Sequence, residues 1–170
     1  METRPTNEAP LKQVLKAIER NPRLTPAAIA TMTGLAEDTV RQLIARAEAE
    51  GIILGYRTVI NWERAGEEEV AALIEVRCAP QREVGFDAVA RRIYRYPEVR
   101  SVWLVSGTFD LAVMVVARSM REISLFVSER LATLEAVQGT VTHFIMKRYK
   151  EEGVILDGDE PTPQRLAVAP

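Results

Sequence analysis

Five polar residues on one predicted helix, Asp38, Thr39, Arg41, Gln42 and Arg46, carry the clearest recognition chemistry in the chain. Gln42 suits an adenine edge, Arg41 or Arg46 suits guanine or phosphate, and the carboxylate of Asp38 accepts from a cytosine amino group. The competing description of the same residues is an ordinary solvated helix face. Metal and acid–base chemistry are curtailed by the residue counts, since Cys78 is the one cysteine and His143 the one histidine among 170 residues. A single cysteine excludes an intrachain disulfide and a thiolate metal cluster. His143 has no companion ligands and reads as a structural or surface residue, and Cys78 as a small core residue at a strand end. With no phosphate loop and no nucleophile–base pair, neither a cofactor nor an enzyme is expected.

The recognition residues need a helix to hold them outward, and the first third of the chain supplies helical periodicity. Leu11, Val14, Leu15 and Ile18 recur at the spacing of one buried helix face, and Asn21-Pro22 ends that helix. Thr25-Pro26 opens a second, short helix that stops at Thr33-Gly34. A third helix runs from about Glu37 to Glu50, with Val40, Leu43, Ile44 and Ala47 as its buried stripe and Gly51 as its stop. A short helix, a glycine-containing turn and a longer helix match the helix-turn-helix, with Ala30, Gly34 and Val40 at the contact, the turn and the return packing. Three small helices that merely pack together are the alternative. Gly51-Ile52-Ile53-Leu54-Gly55-Tyr56 then resembles the strand of a wing.

After the polar, acidic stretch Asn61–Glu69 the period changes. Strands are expected over Val70–Cys78, Val99–Val105, Phe109–Ala117 and Thr140–Lys150, the middle two joined by Ser106-Gly107-Thr108. Phe86, Val89, Ala90 and Ile93 mark one intervening helix. Ser119 with Glu122 forms a capping box that opens a second, carried by Ile123, Phe126, Val127, Leu131 and Leu134. The order βαββαβ is that of a ferredoxin-like antiparallel sheet with helices on one face. The expected fold class is therefore α+β: an N-terminal winged helix-turn-helix over residues 8–60, a linker over 61–69, a ferredoxin-like βαββαβ domain over 70–150 and an extended tail over 151–170. Leu111, Val113 and Val115 alternate with Ala112, Met114 and Val116, so both faces of that strand call for cover. The cover expected is the same sheet of a second copy, in an isologous homodimer, rather than the polar tail. Trp62 and Trp103 are expected to be packing anchors, and Lys147-Arg148-Tyr149-Lys150 a solvated strand end.

Composition sets the outer limits. Hydrophobic residues make up 47% and charged residues 27%, which excludes a disordered chain. No apolar run reaches the roughly 18 residues of a membrane span and no signal-peptide core opens the chain, so no membrane partner and a cytoplasmic location are expected. The formal net charge is −2, and the predicted third helix sets Arg41 and Arg46 against Glu37, Asp38, Glu48 and Glu50. A lone subunit with that balance would bind DNA weakly, because phosphate attraction supplies most non-specific affinity. Multivalency in an oligomer would compensate.

Taken in order, Gly51-Ile52-Ile53-Leu54-Gly55-Tyr56, Ala72-Leu73-Ile74-Glu75-Val76 and Ser106-Gly107-Thr108-Phe109-Asp110-Leu111 make the chain resemble transcriptional regulators of the Lrp/AsnC family, also called feast/famine regulatory proteins. The likeness runs from Leu11 to about Tyr149 and touches the Arg165–Pro170 ending. It implies double-stranded DNA as a partner, an amino acid or related small metabolite as effector, dimerisation through the second domain and assembly of dimers into an octamer. Gly107, Thr108, Phe109 and Asp110 stand where that family has its effector loop, and Thr140 and Thr142 where a neighbouring subunit adds hydroxyls. An amino acid needs acceptors for its ammonium, which Asp110 and backbone carbonyls supply, and N–H or O–H donors for its carboxylate. A tight turn is the other reading of Gly107–Asp110. The acidic Glu37-Asp38 start and Glu67-Glu68-Glu69 depart from many family members. A ligand-sensing or assembly module with weak or lost DNA binding is the alternative function.

Overall fold

A computed structural model describes residues 8–67, 69–79 and 85–156. The chain divides into two compact units, Met1–Thr58 and Val59–Pro170.

In the first unit, α1 (Glu8–Arg20), α2 (Pro26–Thr33) and α3 (Glu37–Ala49) surround a core of Val14, Ala17, Ile18, Ile29, Val40 and Leu43. Local chemistry sets the helix ends. Thr25 Oγ1 accepts from the Ala28 N–H, Pro26 occupies the first turn, and Gly34 closes α2 at φ 73° while its N–H donates to the Ala30 carbonyl. The turn of Gly34–Ala36 then sends α3 across α2. The segment after α3 corrects the expected wing strand, because residues 54–60 adopt no regular structure and Gly51–Ile53 only finish the helix end. The Ile52 and Ile53 N–H groups both donate to the Ala47 carbonyl, and a strand needs a ladder partner that no described residue supplies. Ile53 packs against the helical core, and the Tyr56 hydroxyl donates to Glu48 at 2.8 Å. That bond to a carboxylate raises the Tyr56 pKa.

The second unit holds β1 (Val70–Cys78), α4 (Gly85–Ile93), β2 (Val99–Leu104), β3 (Leu111–Ala117), α5 (Met120–Phe126) and β4 (Val137–Phe144). Its antiparallel sheet has the order β2-β3-β1-β4, the ferredoxin-like arrangement. Ala72, Ile74, Val76 and Cys78 of β1 and Leu111, Val113 and Val115 of β3 join Val89, Ile93, Ile123, Phe126, Leu131 and Leu134 in one core. At α5 the Ser119 hydroxyl accepts from the Glu122 N–H, while Glu122 reaches back to the Arg118 N–H rather than to that of Ser119. α5 widens into a π-turn over Val127–Leu131.

Three expectations about this unit are corrected. The last strand begins at Val137 and ends at Phe144, not Lys150, because β1 offers pairing only as far as Ala72 opposite Phe144. Beyond it, Lys150–Glu151 (β5) and Val154–Ile155 (β6) form a hairpin within the region expected to be an extended tail. Glu152 and Gly153 both have positive φ, 47° and 83°, as a tight two-residue turn requires. The rest of the tail, residues 157–170, lies outside the described residues. Trp62 and Trp103 are exposed rather than packing anchors: Trp103 stands on the outer face of edge strand β2 opposite Ala112.

The outer face of the sheet, away from the helices, carries Ala71, Leu73 and Glu75 of β1, Ala112, Met114 and Val116 of β3, and Val141 and His143 of β4. The helices of this unit pack against the other face. Ala71 and Ala112 are shielded by their neighbours, whereas Val141 and Trp103 remain 44% and 48% exposed.

Candidate functional site

α3 is a two-sided helix. Val40, Leu43 and Ala47 are buried, while Asp38, Thr39, Arg41, Gln42, Ala45 and Arg46 are exposed over two turns. The structure thus brings all five sequence-predicted contact residues to solvent on one element. It also shows how their charge is used. Arg41 bonds Glu37 and Arg46 bonds Glu50, the latter at 2.8 Å, both one turn apart on the same helix. Exposed pairs of this kind contribute about 0.3–0.5 kcal/mol, so the guanidinium groups can be released to a stronger partner at small cost.

The second constellation lies at one end of the sheet. The Val105 N–H donates to the Asp110 carbonyl at 2.9 Å, closing the loop that holds Gly107, Thr108 and Phe109. Gly107 and Thr108 are exposed, and Phe109 and Asp110 are half-buried. The Asp110 N–H donates to the Val76 carbonyl at 3.0 Å, and its Oδ2 accepts from the Cys78 N–H at 2.7 Å. One carboxylate oxygen is therefore spent on the end of β1, beside the register shift between Arg77 and Cys78. The family resemblance leads one to expect Asp110 as an acceptor for a ligand; the strand pairing shows its carboxylate clamping the loop to β1. The Cys78 thiol is buried in the core and pushed up to about 11, first by burial and then by the nearby Asp110 charge, so it is not a thiolate nucleophile near neutral pH.

Thr140 and Thr142 do not join that loop within one chain. They pair with Val76 and Ile74, on the far side of β1 from β3, and share the helix-side face. Two inter-strand spacings of about 4.8 Å separate the β3 and β4 ends of this cluster. Sequence reading missed one polar pair. His143 Nε2 meets Glu75 Oε1 at 3.1 Å on the outer sheet face, a meeting that depends on the β1–β4 register. Among the described residues no group of three or more His, Cys, Asp or Glu side chains is placed to hold a metal ion.

A helix-turn-helix head with an exposed third helix, joined to a ferredoxin-like domain with an open sheet face, defines a two-part transcriptional regulator. Residues 11–53 match the winged helix-turn-helix DNA-binding model and residues 71–155 the Lrp/AsnC ligand binding domain. The chain is 41% identical over 160 residues to the uncharacterized HTH-type transcriptional regulator YugG of Bacillus subtilis, covering 93% of this chain and 95% of that one. It is 25% identical to the proline dehydrogenase transcriptional activator of Rhizobium radiobacter, with 84% and 90% covered. Among solved structures, a regulator from Neisseria meningitidis in complex with L-Met has a TM-score of 0.68 at 21% identity, covering 86% of this chain and 94% of that one. Escherichia coli AsnC has a TM-score of 0.66 at 18% identity, with 86% and 97% covered. The chain belongs to the Lrp/AsnC family of transcriptional regulators.

Proposed function

We propose that the protein is a sequence-specific regulator whose α3 enters the DNA major groove through Asp38, Thr39, Arg41, Gln42 and Arg46, and whose second unit senses an amino acid. The observation that carries this reading is the outward display of those five residues on the third helix of a helix-turn-helix. The effector site is assigned to Gly107, Thr108, Phe109 and Asp110, with Thr140 and Thr142 added by a neighbouring subunit. Backbone groups of the exposed loop and the free oxygen of Asp110 fit the carboxylate and ammonium of a zwitterion. The relative bound to L-Met supports an amino acid as the ligand class. Control without catalysis, in the cytoplasm, completes the reading, and no helix of the described residues is long and apolar enough to cross a membrane.

Self-association is supported by the apolar sheet face that the helices leave free. Leu73, Met114, Val116 and Val141 form an apolar surface that a two-fold copy of itself would bury, and dimers would assemble further into an octamer. Met114→Asp would place a charge at the centre of that surface. Light scattering is expected to show the wild type as a dimer or larger and the variant as a monomer with an unchanged circular dichroism spectrum; an unaltered assembly would place the interface elsewhere.

Selection of bound genomic fragments with and without an amino-acid panel tests the main reading, and enriched fragments whose set changes with one amino acid are expected. The engagement of Arg41 and Arg46 by Glu37 and Glu50 favours a second reading, a sensing or assembly module with weak DNA binding. Electrophoretic shift at low salt separates the two, because a working head must at least bind non-specifically there.

A further inference from the structure

Glu37, Asp38, Glu48 and Glu50 outnumber Arg41 and Arg46, so α3 and its end carry net negative charge against a phosphate backbone. Unpaired guanidinium groups are concentrated on the second unit instead. α4 and its closing turn expose Arg91, Arg92 and Arg95. Arg91 and Arg92 lie in the last turn of α4, and Arg95 two residues beyond its end. The guanidinium of Arg130 lies 5.2 Å from the centre of the ring of Tyr96, the residue that follows Arg95. Tyr96 is itself held edge-on against Phe126. None of the four forms an ion pair with a described carboxylate, and Asp87 is the one acidic residue of α4.

Cations in a last helical turn also stabilise the helix through its dipole, which explains one or two of them. It does not explain a fourth supplied by another element, in a unit whose overall charge is negative. Several planar, permanently charged forks gathered about one helix end match a row of phosphates better than a single carboxylate.

We propose that the Arg91, Arg92, Arg95 and Arg130 face binds the phosphate backbone of DNA flanking the base-read operator. This rests on the DNA-binding reading above and adds a second, sequence-independent contact surface. It assigns to the second unit the phosphate affinity that α3 lacks.

The test uses the full chain carrying Arg91→Gln, Arg92→Gln and Arg95→Gln, titrated by fluorescence anisotropy over a range of salt. One duplex carries a selected operator alone, and the other carries the same operator with long non-operator flanks. The variant is expected to bind the short duplex as the wild type does and the flanked duplex about tenfold or more weakly. Its log–log salt slope on the flanked duplex is expected to be shallower by about 1 for each arginine lost. The matching triple lysine variant is expected to keep most of the slope. Unchanged affinity and slope on the flanked duplex would overturn the proposal, as would equal losses on both duplexes. Loss of polyglutamate binding with intact DNA binding would also overturn it and assign the face to an acidic protein. If the wild type bound neither duplex at low salt, the DNA-binding reading itself would fail.

Discussion

Gln42→Ala combined with Arg46→Ala is expected to erase the footprint at the protein's operator, with affinity falling between about 30-fold and 20,000-fold. The range follows from about 1–3 kcal/mol for each good bidentate contact to a base, at 1.4 kcal/mol per factor of ten. Both side chains are exposed and alanine is the best helix former, so melting temperature and oligomer size are expected to stay unchanged. Arg46 must leave Glu50 to reach DNA. Glu50→Gln is therefore expected to strengthen non-specific binding at low salt, where removal of a carboxylate near the phosphates counts most. A footprint that survives the double substitution would reject α3 as the reader.

Asp110 carries the other large effect, and two substitutions separate its possible roles. Asp110→Ala leaves the half-buried Cys78 N–H without its acceptor, which costs about 1–3 kcal/mol, while the backbone bond from Asp110 to Val76 remains. The rise in melting temperature on adding the effector is expected to vanish; at about 100-fold excess over Kd that rise corresponds to about 2.7 kcal/mol in the wild type. Asp110→Asn keeps an oxygen for the Cys78 N–H and replaces the other, charged oxygen by a neutral NH2 donor. If the carboxylate acts mainly by clamping the loop, as its 2.7 Å bond argues, Asn retains most of the thermal gain. Loss of the gain in Asn, with an unaltered melting temperature of the free protein, would assign the charge to the ligand's ammonium. A full gain in both variants would move the site away from this loop.

Much of the fold was legible because it depends on local periodicity and capping. The stripe Val40, Leu43 and Ala47 names the buried side of α3 and hence its exposed side, whatever the other helices do. Thr25-Pro26, Gly34 and Ser119 act within a few residues of themselves, and each appears as the cap that its chemistry predicts. Where a residue's state depends on a distant partner, the reading fell short. Gly51–Tyr56 is rich in residues that favour strands, yet residues 54–56 have no ladder partner. Trp62 and Trp103 are large and apolar, yet both are exposed, Trp62 in a turn outside the sheet and Trp103 on an edge strand, since size and hydrophobicity say nothing about which surface is covered.

The sequence by itself determined the elements, their order and the face of α3 that meets solvent, because periods of 3.6 and 2 and the caps between them are properties of short stretches. It also raised the question of what covers the second face of β3. Only the tertiary structure decided which strands are neighbours, that Leu73, Met114 and Val141 share one uncovered surface with the Glu75–His143 pair, and that the Asp110 carboxylate is bound to β1. The physical reason is register. Alternation places a side chain on one of two faces, but strand pairing alone brings residues 32 or 68 positions apart within hydrogen-bonding distance.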